Sequence, residues 1–276
     1  MSSQFGSTLD ADAHLRAHEA VSLRARKFPA DALRQLAEEV LTRLASRFQS
    51  APLPLEGVPS DDAIDALAES LISSDSNEGL SFVISLQKQG VCKDTIYLGY
   101  LAGAARRLGE RWVEDTLSFA DVTLGAGRLY IILRALRPVF TPPNFCPKTA
   151  RTALFCSAPG EDHVLGVTMA TDMFRERGWT IDLRTGISHD ELVQAATERC
   201  YPIIGLSASS RRMVLPLTRL IASLRVVNPA SYILVSGELT ALEENLGKIV
   251  DADFVAHDAP EAITELHRFA ATLETN

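Results

Sequence analysis

The sequence predicts two folded parts, a helical bundle followed by a doubly wound parallel α/β sheet, because the hydrophobic period changes once along the chain. Between residues 61 and 140 the apolar residues recur at helical spacing, without a strand pattern. Beyond residue 150 short apolar runs alternate with helical segments, which is typical of βα units. A proline-rich stretch, TPPNFCPK at 141–148, separates the two patterns. We therefore expect a helical part and a parallel-sheet part joined by a linker.

The predicted boundaries divide the chain into four segments. They are an N-terminal helical extension with its linker at 1–59, a four-helix bundle at 60–140, a linker at 141–150 and a Rossmann-like sheet domain at 151–276. The first linker is placed at APLPLEGVPS, residues 51–60, where three prolines and one glycine disfavour both helix and strand. Each folded part is long enough to build a core of its own.

The composition indicates an ordinary globular protein with an acidic balance. The chain has 276 residues, of which 46% are hydrophobic, and a formal net charge of −8. Such a charge argues against direct binding to the phosphates of DNA. No apolar stretch reaches the length of a membrane span, the N-terminus lacks a signal-peptide core, and the four cysteines lack metal-site spacing. We expect a soluble cytoplasmic protein with reduced thiols and no membrane partner, and the sequence leaves its oligomeric state open.

The helices of the first part are predicted from apolar periodicity. One amphipathic helix is expected from Pro29 to Ser50, and four more at about 61–73, 77–90, 93–112 and 117–137. The polar residues before position 30 predict a frayed or surface helix. Gly125 and Gly127 lie inside the last helix, where each glycine costs about 1 kcal/mol relative to alanine. Close packing of another helix, or a ligand lying against the backbone, should offset that cost.

Five βα units are predicted in the second part. The strands are expected at about 152–157, 180–184, 203–207, 232–235 and 253–256, and the helices at about 164–177, 189–199, 211–226, 239–248 and 260–273. Parallel strands need helical crossovers, so the alternation favours a five-stranded parallel sheet. The expected strand order is the flavodoxin-like 2-1-3-4-5.

Three loops should meet at the carboxyl edge of this sheet, where the strand order reverses. The turn GEDHVLG at 160–166 follows the first strand and holds His163, two residues after Glu161. Ser207 ends the third strand, and Gly237 follows the fourth. An imidazole that ligates a metal commonly donates its other ring N–H to a carboxylate. Because one histidine cannot complete the ligand shell of a free ion, we interpret the pattern as an axial ligand for a metal held in a macrocycle.

The residues of these loops resemble a known signature. Glu161-x-His163-x-x-Gly166, Ser207 and Gly237 are similar to the Asp-x-His-x-x-Gly, Ser-x-Leu and Gly-Gly motifs of cobalamin-binding domains of the methionine-synthase type. This resemblance implies that cobalamin binds at the carboxyl edge of the sheet.

The upstream helices carry a second resemblance. The stretch LGERWVEDTLSFADVTLGAGRLYIILRAL is similar to the helical cap that covers the upper face of the corrin ring in these proteins. Taken together, residues 60 to 270 resemble the cobalamin-dependent photoreceptor antirepressors of the AerR/PpaA type. The match of both halves is more specific than the short histidine motif alone.

The resemblance implies a role for each matching residue. His163 would be the lower cobalt ligand, and Glu161 would hold its imidazole. Gly166 would leave room for the nucleotide tail, Ser207 would hydrogen-bond the buried base, and Gly237 would line the slot. Further cofactor contacts are implied for Asp162, Ser209, Val122 and Trp112, the last of which would shield an adenosyl group. An upper cobalt ligand is sought at His14 or His18, which lie four residues apart.

The chain also departs from the family pattern. Glutamate replaces the usual aspartate at position 161, Ser209 stands where leucine is common, and Ser236 stands where the first glycine is expected. Relatives that bind DNA carry a Glu-His pair ten and eleven residues after the tryptophan, where this chain has Val122 and Thr123. They also carry an N-terminal helix-turn-helix domain, and residues 1–60 show no pattern for one.

The resemblance implies a light-responsive transcriptional regulator without catalytic turnover. Adenosylcobalamin would be bound in the dark and hydroxocobalamin after illumination. The resulting change would let the protein bind a repressor of photosynthesis genes and act as its antirepressor. Two alternatives stay open: a corrinoid shuttle protein of a methyltransferase system, and a haem-binding redox or light regulator in which His163 ligates the haem iron.

Overall fold

The chain forms two compact units, Met1–Phe140 and Thr141–Asn276. We describe them from a computed structural model. The residues that the structure describes are 11–47, 58–92, 95–136 and 150–274. The predicted linkers at 51–60 and 141–150 lie mostly outside these ranges, which include only residues 58–60 and 150 of them.

The regular elements in the described part of the first unit are all helices. Its helices are α1 (Ala11–Lys27), α2 (Ala30–Arg47), α3 (Asp61–Ile72), α4 (Glu78–Lys88), α5 (Ala102–Val113) and α6 (Phe119–Ala135). A π-helical segment, Thr95–Leu101, leads directly into α5, so the predicted helix 93–112 is not uniformly α-helical. The other predicted helices of this unit agree with α2, α3, α4 and α6 to within about three residues at each described end.

The predicted N-terminal helix is present as α1, and it is a surface helix that packs one face onto the unit rather than a frayed one. Helix α1 packs against α6, and its Ala17 and Ala20 are fully buried. The buried guanidinium of Arg24 lies 5.2 Å from the centre of the Tyr130 ring. Small side chains and a cation over an aromatic face thus bury one face of a helix whose sequence is mostly polar.

Close helix packing explains the two glycines of α6. A Cβ added at Gly125 would come within 2.9 Å of Leu108 Cδ1 on α5, and one added at Gly127 would come within 3.1 Å of Val21 Cγ1 on α1. Of the two compensations expected from the sequence, the structure therefore shows helix packing at both positions.

The second unit is a five-stranded parallel sheet with helical crossovers. Its elements are β1 (Thr152–Ser157), α7 (Leu165–Arg175), β2 (Thr180–Arg184), α8 (His189–Glu198), β3 (Ile203–Ser207), α9 (Val214–Val227), β4 (Tyr232–Ser236), α10 (Leu239–Leu242), α11 (Leu246–Val250), β5 (Phe254–Val255) and α12 (Ala259–Glu274). The strand order is β2-β1-β3-β4-β5, as the sequence predicts. The predicted fold class, a helical part followed by a flavodoxin-like sheet domain, is confirmed.

Two elements differ from the prediction. The expected helix 239–248 is divided into α10 and α11, because Glu243 adopts an extended backbone and Leu246 N donates to Glu243 O. The last strand is two residues long rather than four.

The strand register aligns three serines across the sheet. Ser157 lies beside Ser207, and Ser207 lies beside Ser236, so the carboxyl ends of β1, β3 and β4 are level. Beneath them, Phe155 meets Phe174 edge to face with ring centres 5.0 Å apart, and Phe174 meets Trp179 in the same way at 5.4 Å. The residues that follow the three serines therefore start from one rigid edge.

A buried ion pair ties the far end of α9 to the sheet. The side chain of Arg225 is fully buried, and its Nη2 donates to Asp253 Oδ2 at 2.7 Å. Its Nη1 donates to Ser231 O at 2.6 Å. No helix within the described residues combines the length and the apolar character that crossing a membrane requires.

Candidate functional site

The turn after β1 places a carboxylate inside the carboxyl edge of the sheet. Ala158 N donates to Ser207 O and so extends the pairing of β1 with β3 by one residue. Gly160 then takes a φ of +80°, which favours glycine, and Glu161 N donates back to Ala158 O. The tight turn directs the Glu161 side chain inward, where it is fully buried.

Hydrogen bonds hold both oxygens of this buried carboxylate. Oε1 accepts from His163 N at 2.9 Å and lies 2.8 Å from His163 Nδ1. Oε2 accepts from Ser209 N and from Ser209 Oγ, each at 2.7 Å. Burial alone would raise the pKa of Glu161, but these hydrogen bonds outweigh it and lower the pKa from 4.5 to about 2. The group is therefore a fixed anion at neutral pH.

The ionised carboxylate fixes the orientation of His163. Since an ionised carboxylate can only accept, the ring nitrogen that contacts it, Nδ1, carries the proton. The hydroxyl of Ser209 lies 3.2 Å from the same nitrogen and accepts from it, because its own proton goes to Glu161. The lone pair of neutral imidazole is then on Nε2. Nε2 makes no hydrogen bond to any residue that the structure describes, and 75% of the side chain is exposed.

Ser209 is the residue of this cluster whose contact the sequence does not reveal. The resemblance implies a cofactor contact for Ser209, at a position where leucine is usual, whereas the structure shows its backbone and side chain both bound to Glu161. The signal that points to it is the strand order, because β1 and β3 are neighbours and their carboxyl-terminal loops must approach each other.

A groove of about 410 Å³ opens at the same edge of the sheet. Its lining includes four residues that the sequence analysis singles out, which are Gly166, Ser207, Ser236 and Gly237. Phe155 and Leu234 from the strands, and Met169 from α7, add apolar wall. The groove has the size and the mainly apolar character of a small-molecule site.

Two glycines shape this groove in different ways. Gly237 has a φ of +102°, and a Cβ there would come within 2.4 Å of Ala208 O, so only glycine fits. A Cβ at Gly166 would meet no heavy atom within 4 Å. Gly166, in the first turn of α7, therefore leaves open space, and no packing among the described residues requires a glycine there.

Other polar residues lie in the loops at this edge of the sheet. Asp162 is exposed, and its Oδ2 lies 4.0 Å from Arg212 Nη2. His257 also lines the groove, which the sequence left unassigned. Arg211 donates from Nε and Nη2 to Leu242 O and is thereby held near α10.

The predicted site residues of the first unit have mixed surroundings. Trp112 is half-buried, and the Arg34 guanidinium lies 4.7 Å from the centre of its ring. Val122 is only 2% exposed and packs in the core of the unit, which speaks against its predicted contact with a cofactor. His18 is exposed on α1, whereas the side chain of His14 lies outside the described residues.

The second unit thus presents the oriented imidazole of His163 at the same sheet edge as the groove. Among the described residues, no group of three clustered histidine, cysteine or carboxylate ligands includes His163. Such a site suits a metal that brings most of its own ligands, as a macrocycle does. The open space at Gly166 leaves room for a bulky appendage of such a ligand.

Comparison with known proteins gives one relative in sequence. No family model matches the chain. The chain is 26% identical over 169 residues to an "uncharacterized 20.5 kDa protein in bchF-crtJ intergenic region" of Rhodobacter capsulatus, which covers 60% of this chain and 87% of that protein.

Similar solved structures include three corrinoid-related proteins. A cobalamin-binding protein from Desulfitobacterium hafniense is 15% identical with a TM-score of 0.40, and covers 76% of this chain and 97% of its own. The monomethylamine corrinoid protein of Methanosarcina barkeri is 18% identical with a TM-score of 0.38, and the match covers 78% of this chain and 97% of that protein. The methanol:cobalamin methyltransferase complex of the same organism is 15% identical with a TM-score of 0.41, and the match covers 82% of this chain and 88% of the matched chain.

Proposed function

We propose that this protein binds cobalamin and acts as a light-responsive transcriptional regulator without catalytic turnover. The observation that carries the proposal is the Glu161–His163–Ser209 cluster beside a groove that contains Gly166, Ser207 and Gly237. A buried anion orients the imidazole, which presents Nε2 outward as a metal ligand.

The residues present suit a corrinoid. His163 Nε2 would ligate cobalt from below, and Glu161 would keep Nδ1 protonated so that Nε2 stays a ligand. Ser209 would hold Glu161 in place from the β3 loop. The groove would receive the nucleotide tail, with Ser207 placed to hydrogen-bond the base. When bound, adenosylcobalamin supplies a cobalt–carbon bond that light can break. The role of Trp112 near the upper face stays a prediction.

The regulatory part of the proposal is supported by charge and by the sequence relative. The net charge of −8 suits binding to a protein better than binding to DNA. The relative from Rhodobacter capsulatus is named for its place between bchF and crtJ, a photosynthesis gene region. We propose that the partner is a repressor protein of photosynthesis genes and that illumination changes the affinity for it in the cytoplasm.

An absorption experiment tests the cofactor. The purified chain is incubated in darkness with adenosylcobalamin, methylcobalamin, hydroxocobalamin or haem, freed of excess ligand, and measured before and after illumination. We expect retention of adenosylcobalamin in the dark and a light-driven change to a hydroxocobalamin-type spectrum. Retention of haem without any corrinoid would overturn the proposal in favour of a haem-linked regulator. A methylcobalamin form that transfers its methyl group to a thiol acceptor would instead indicate a corrinoid shuttle.

A binding experiment tests the regulatory step. The dark and illuminated cobalamin-loaded proteins are compared for binding to the purified photosynthesis-gene repressor. A difference in affinity of at least about tenfold, equivalent to about 1.4 kcal/mol, is expected for a switch. Equal affinity in the two states would contradict light regulation through that partner.

A further inference from the structure

The first unit contains a second cavity, separate from the groove at the sheet edge. It measures about 220 Å³ and lies between α1, α6 and the turn that leads into α4. Its walls are mainly apolar and include Val21, Leu80, Leu124, Ile131 and Ile132. The volume is below the roughly 300–1,000 Å³ of sites for drug-sized ligands, so the cavity suits a smaller molecule.

A buried cation lines this apolar cavity. Arg128 on α6 is 9% exposed. Its Nη1 donates to Leu71 O at 3.1 Å and to Ser73 O at 2.7 Å, which are carbonyls at the end of α3. These two bonds fix the plane of the guanidinium and satisfy backbone groups that the helix end leaves free.

The charge of Arg128 is incompletely compensated. No carboxylate in the described ranges forms an ion pair with it. Burial lowers the pKa of Arg128, while the more distant carboxylates of Asp75 and Glu78 act in the opposite direction. A buried charge without a paired counter-charge is costly, and an anion entering the cavity would offset that cost.

The free edge of the guanidinium has the geometry for a carboxylate. Both hydrogen bonds use Nη1, which leaves Nε and Nη2 without an acceptor among the described residues. A carboxylate binds that edge through two parallel hydrogen bonds. Ser22, Asn77 and His18 line the same cavity and add polar groups near the cation.

We propose that this cavity binds a small organic monocarboxylate with an apolar tail. The carboxylate would take the Nε and Nη2 edge of Arg128, and the tail would pack against Ile131, Ile132 and Leu80. Apolar walls favour such a ligand over inorganic phosphate, whose charge would have no polar surroundings on its other sides. The site lies wholly in the first unit, so it stands whether or not His163 ligates cobalt.

Titration calorimetry of the full chain with benzoate tests this site. Benzamide has the same shape without the charge, and acetate has the charge without an apolar tail. We expect benzoate to bind at least tenfold more tightly than either. Equal binding of benzamide, or no binding of benzoate at millimolar concentration, would overturn the proposal.

Two variants locate the binding in the cavity. Ser22→Leu adds a larger side chain to the cavity from α1 and keeps Arg128, and Ser81→Leu adds the same side chain at an exposed position on α4 that does not line the cavity. We expect the first to lose benzoate binding at least tenfold and the second to keep it. Arg128→Lys, which lacks the planar fork, should weaken binding to a similar degree. If Arg128→Lys does not fold, the comparison of Ser22→Leu with Ser81→Leu still tests the site. Unchanged benzoate binding in a folded Ser22→Leu protein would refute it.

Discussion

Replacing Glu161 with glutamine removes the anion that organises the site. The amide keeps the shape of the carboxylate, but one of its two ends becomes a donor. That end faces the N–H of His163 or the N–H and O–H of Ser209, all of which already donate. The Glu161→Gln variant therefore loses charge-assisted hydrogen bonds and leaves buried donors unpaired.

The expected loss follows from the pKa of Glu161. The folded protein holds this pKa at about 2, against an ordinary value of 4.5. The gap corresponds to about 3 kcal/mol of folding free energy at neutral pH. Because the pKa of Glu161 is lower in the folded protein than in the unfolded chain, this stabilisation is fully present above the unfolded-chain pKa. It is lost as the pH falls through the pKa of the folded protein. About 2 kcal/mol of it should be gone at about pH 3.

Fluorescence of Trp179 provides an assay specific to the second unit. Trp179 is 4% exposed in the core of that unit, and the other tryptophan, Trp112, belongs to the first. Urea unfolding is followed in a Trp112→Phe background between about pH 7 and pH 3. Glu161→Gln should lower the free energy of unfolding by about 3 kcal/mol at pH 7 and show a flatter pH dependence than the parent.

The neighbouring carboxylate is the matched control. The side chain of Asp162 is 88% exposed, and Asp162→Asn should change the free energy of unfolding by less than about 0.5 kcal/mol. If Glu161→Gln and Asp162→Asn unfold at the same urea concentration, the buried hydrogen-bonded anion does not stabilise the site as argued.

Three further predictions concern the second unit and the thiols. Gly237→Ala should destabilise the second unit by more than Gly160→Ala, because the new Cβ at 237 would meet Ala208 O at 2.4 Å whereas a Cβ at 160 has no heavy atom within 4 Å. Gly160→Ala should cost only the strain of its positive φ, about 1 kcal/mol, and equal urea midpoints for the two variants would contradict this prediction. Arg225→Met leaves the mostly buried Asp253 carboxylate without its cation and should cost about 3–5 kcal/mol in the same assay, so a loss below about 1 kcal/mol would refute the role of the pair. Iodoacetamide at about pH 8 should label exposed Cys92 in the folded protein but not Cys156, because burial raises the pKa of Cys156 to about 12. Peptide mass spectrometry that finds Cys156 labelled without unfolding would disprove this.

The sheet could be predicted closely because its strands are short apolar runs between helices. The order 2-1-3-4-5 is common in doubly wound sheets, and that order predicts which loops meet. The contact of Glu161 with His163 could also be predicted from the sequence, since both residues lie on one turn after a buried strand.

Other features depend on contacts that the local pattern does not carry. Ser209 lies 48 residues after Glu161, so its contact appears only once β3 is placed beside β1. Helix α1 is packed through two alanines and through Arg24, which lies over the Tyr130 ring. Because most of its residues are polar, its sequence shows only a weak hydrophobic periodicity. Val122 was assigned to the cofactor by resemblance, whereas packing in its own unit buries it.

The most direct measurement asks which nitrogen ligates cobalt. The chain is produced with ¹⁵N-labelled histidine, loaded with cob(II)alamin, and examined by electron paramagnetic resonance. If His163 Nε2 is the lower ligand, the cobalt lines should split into doublets from ¹⁵N, and His163→Ala should abolish the doublets while His257→Ala keeps them. Triplets from the ¹⁴N of the cofactor's own base, unchanged in His163→Ala, would show that the imidazole held by Glu161 and Ser209 does not ligate the metal.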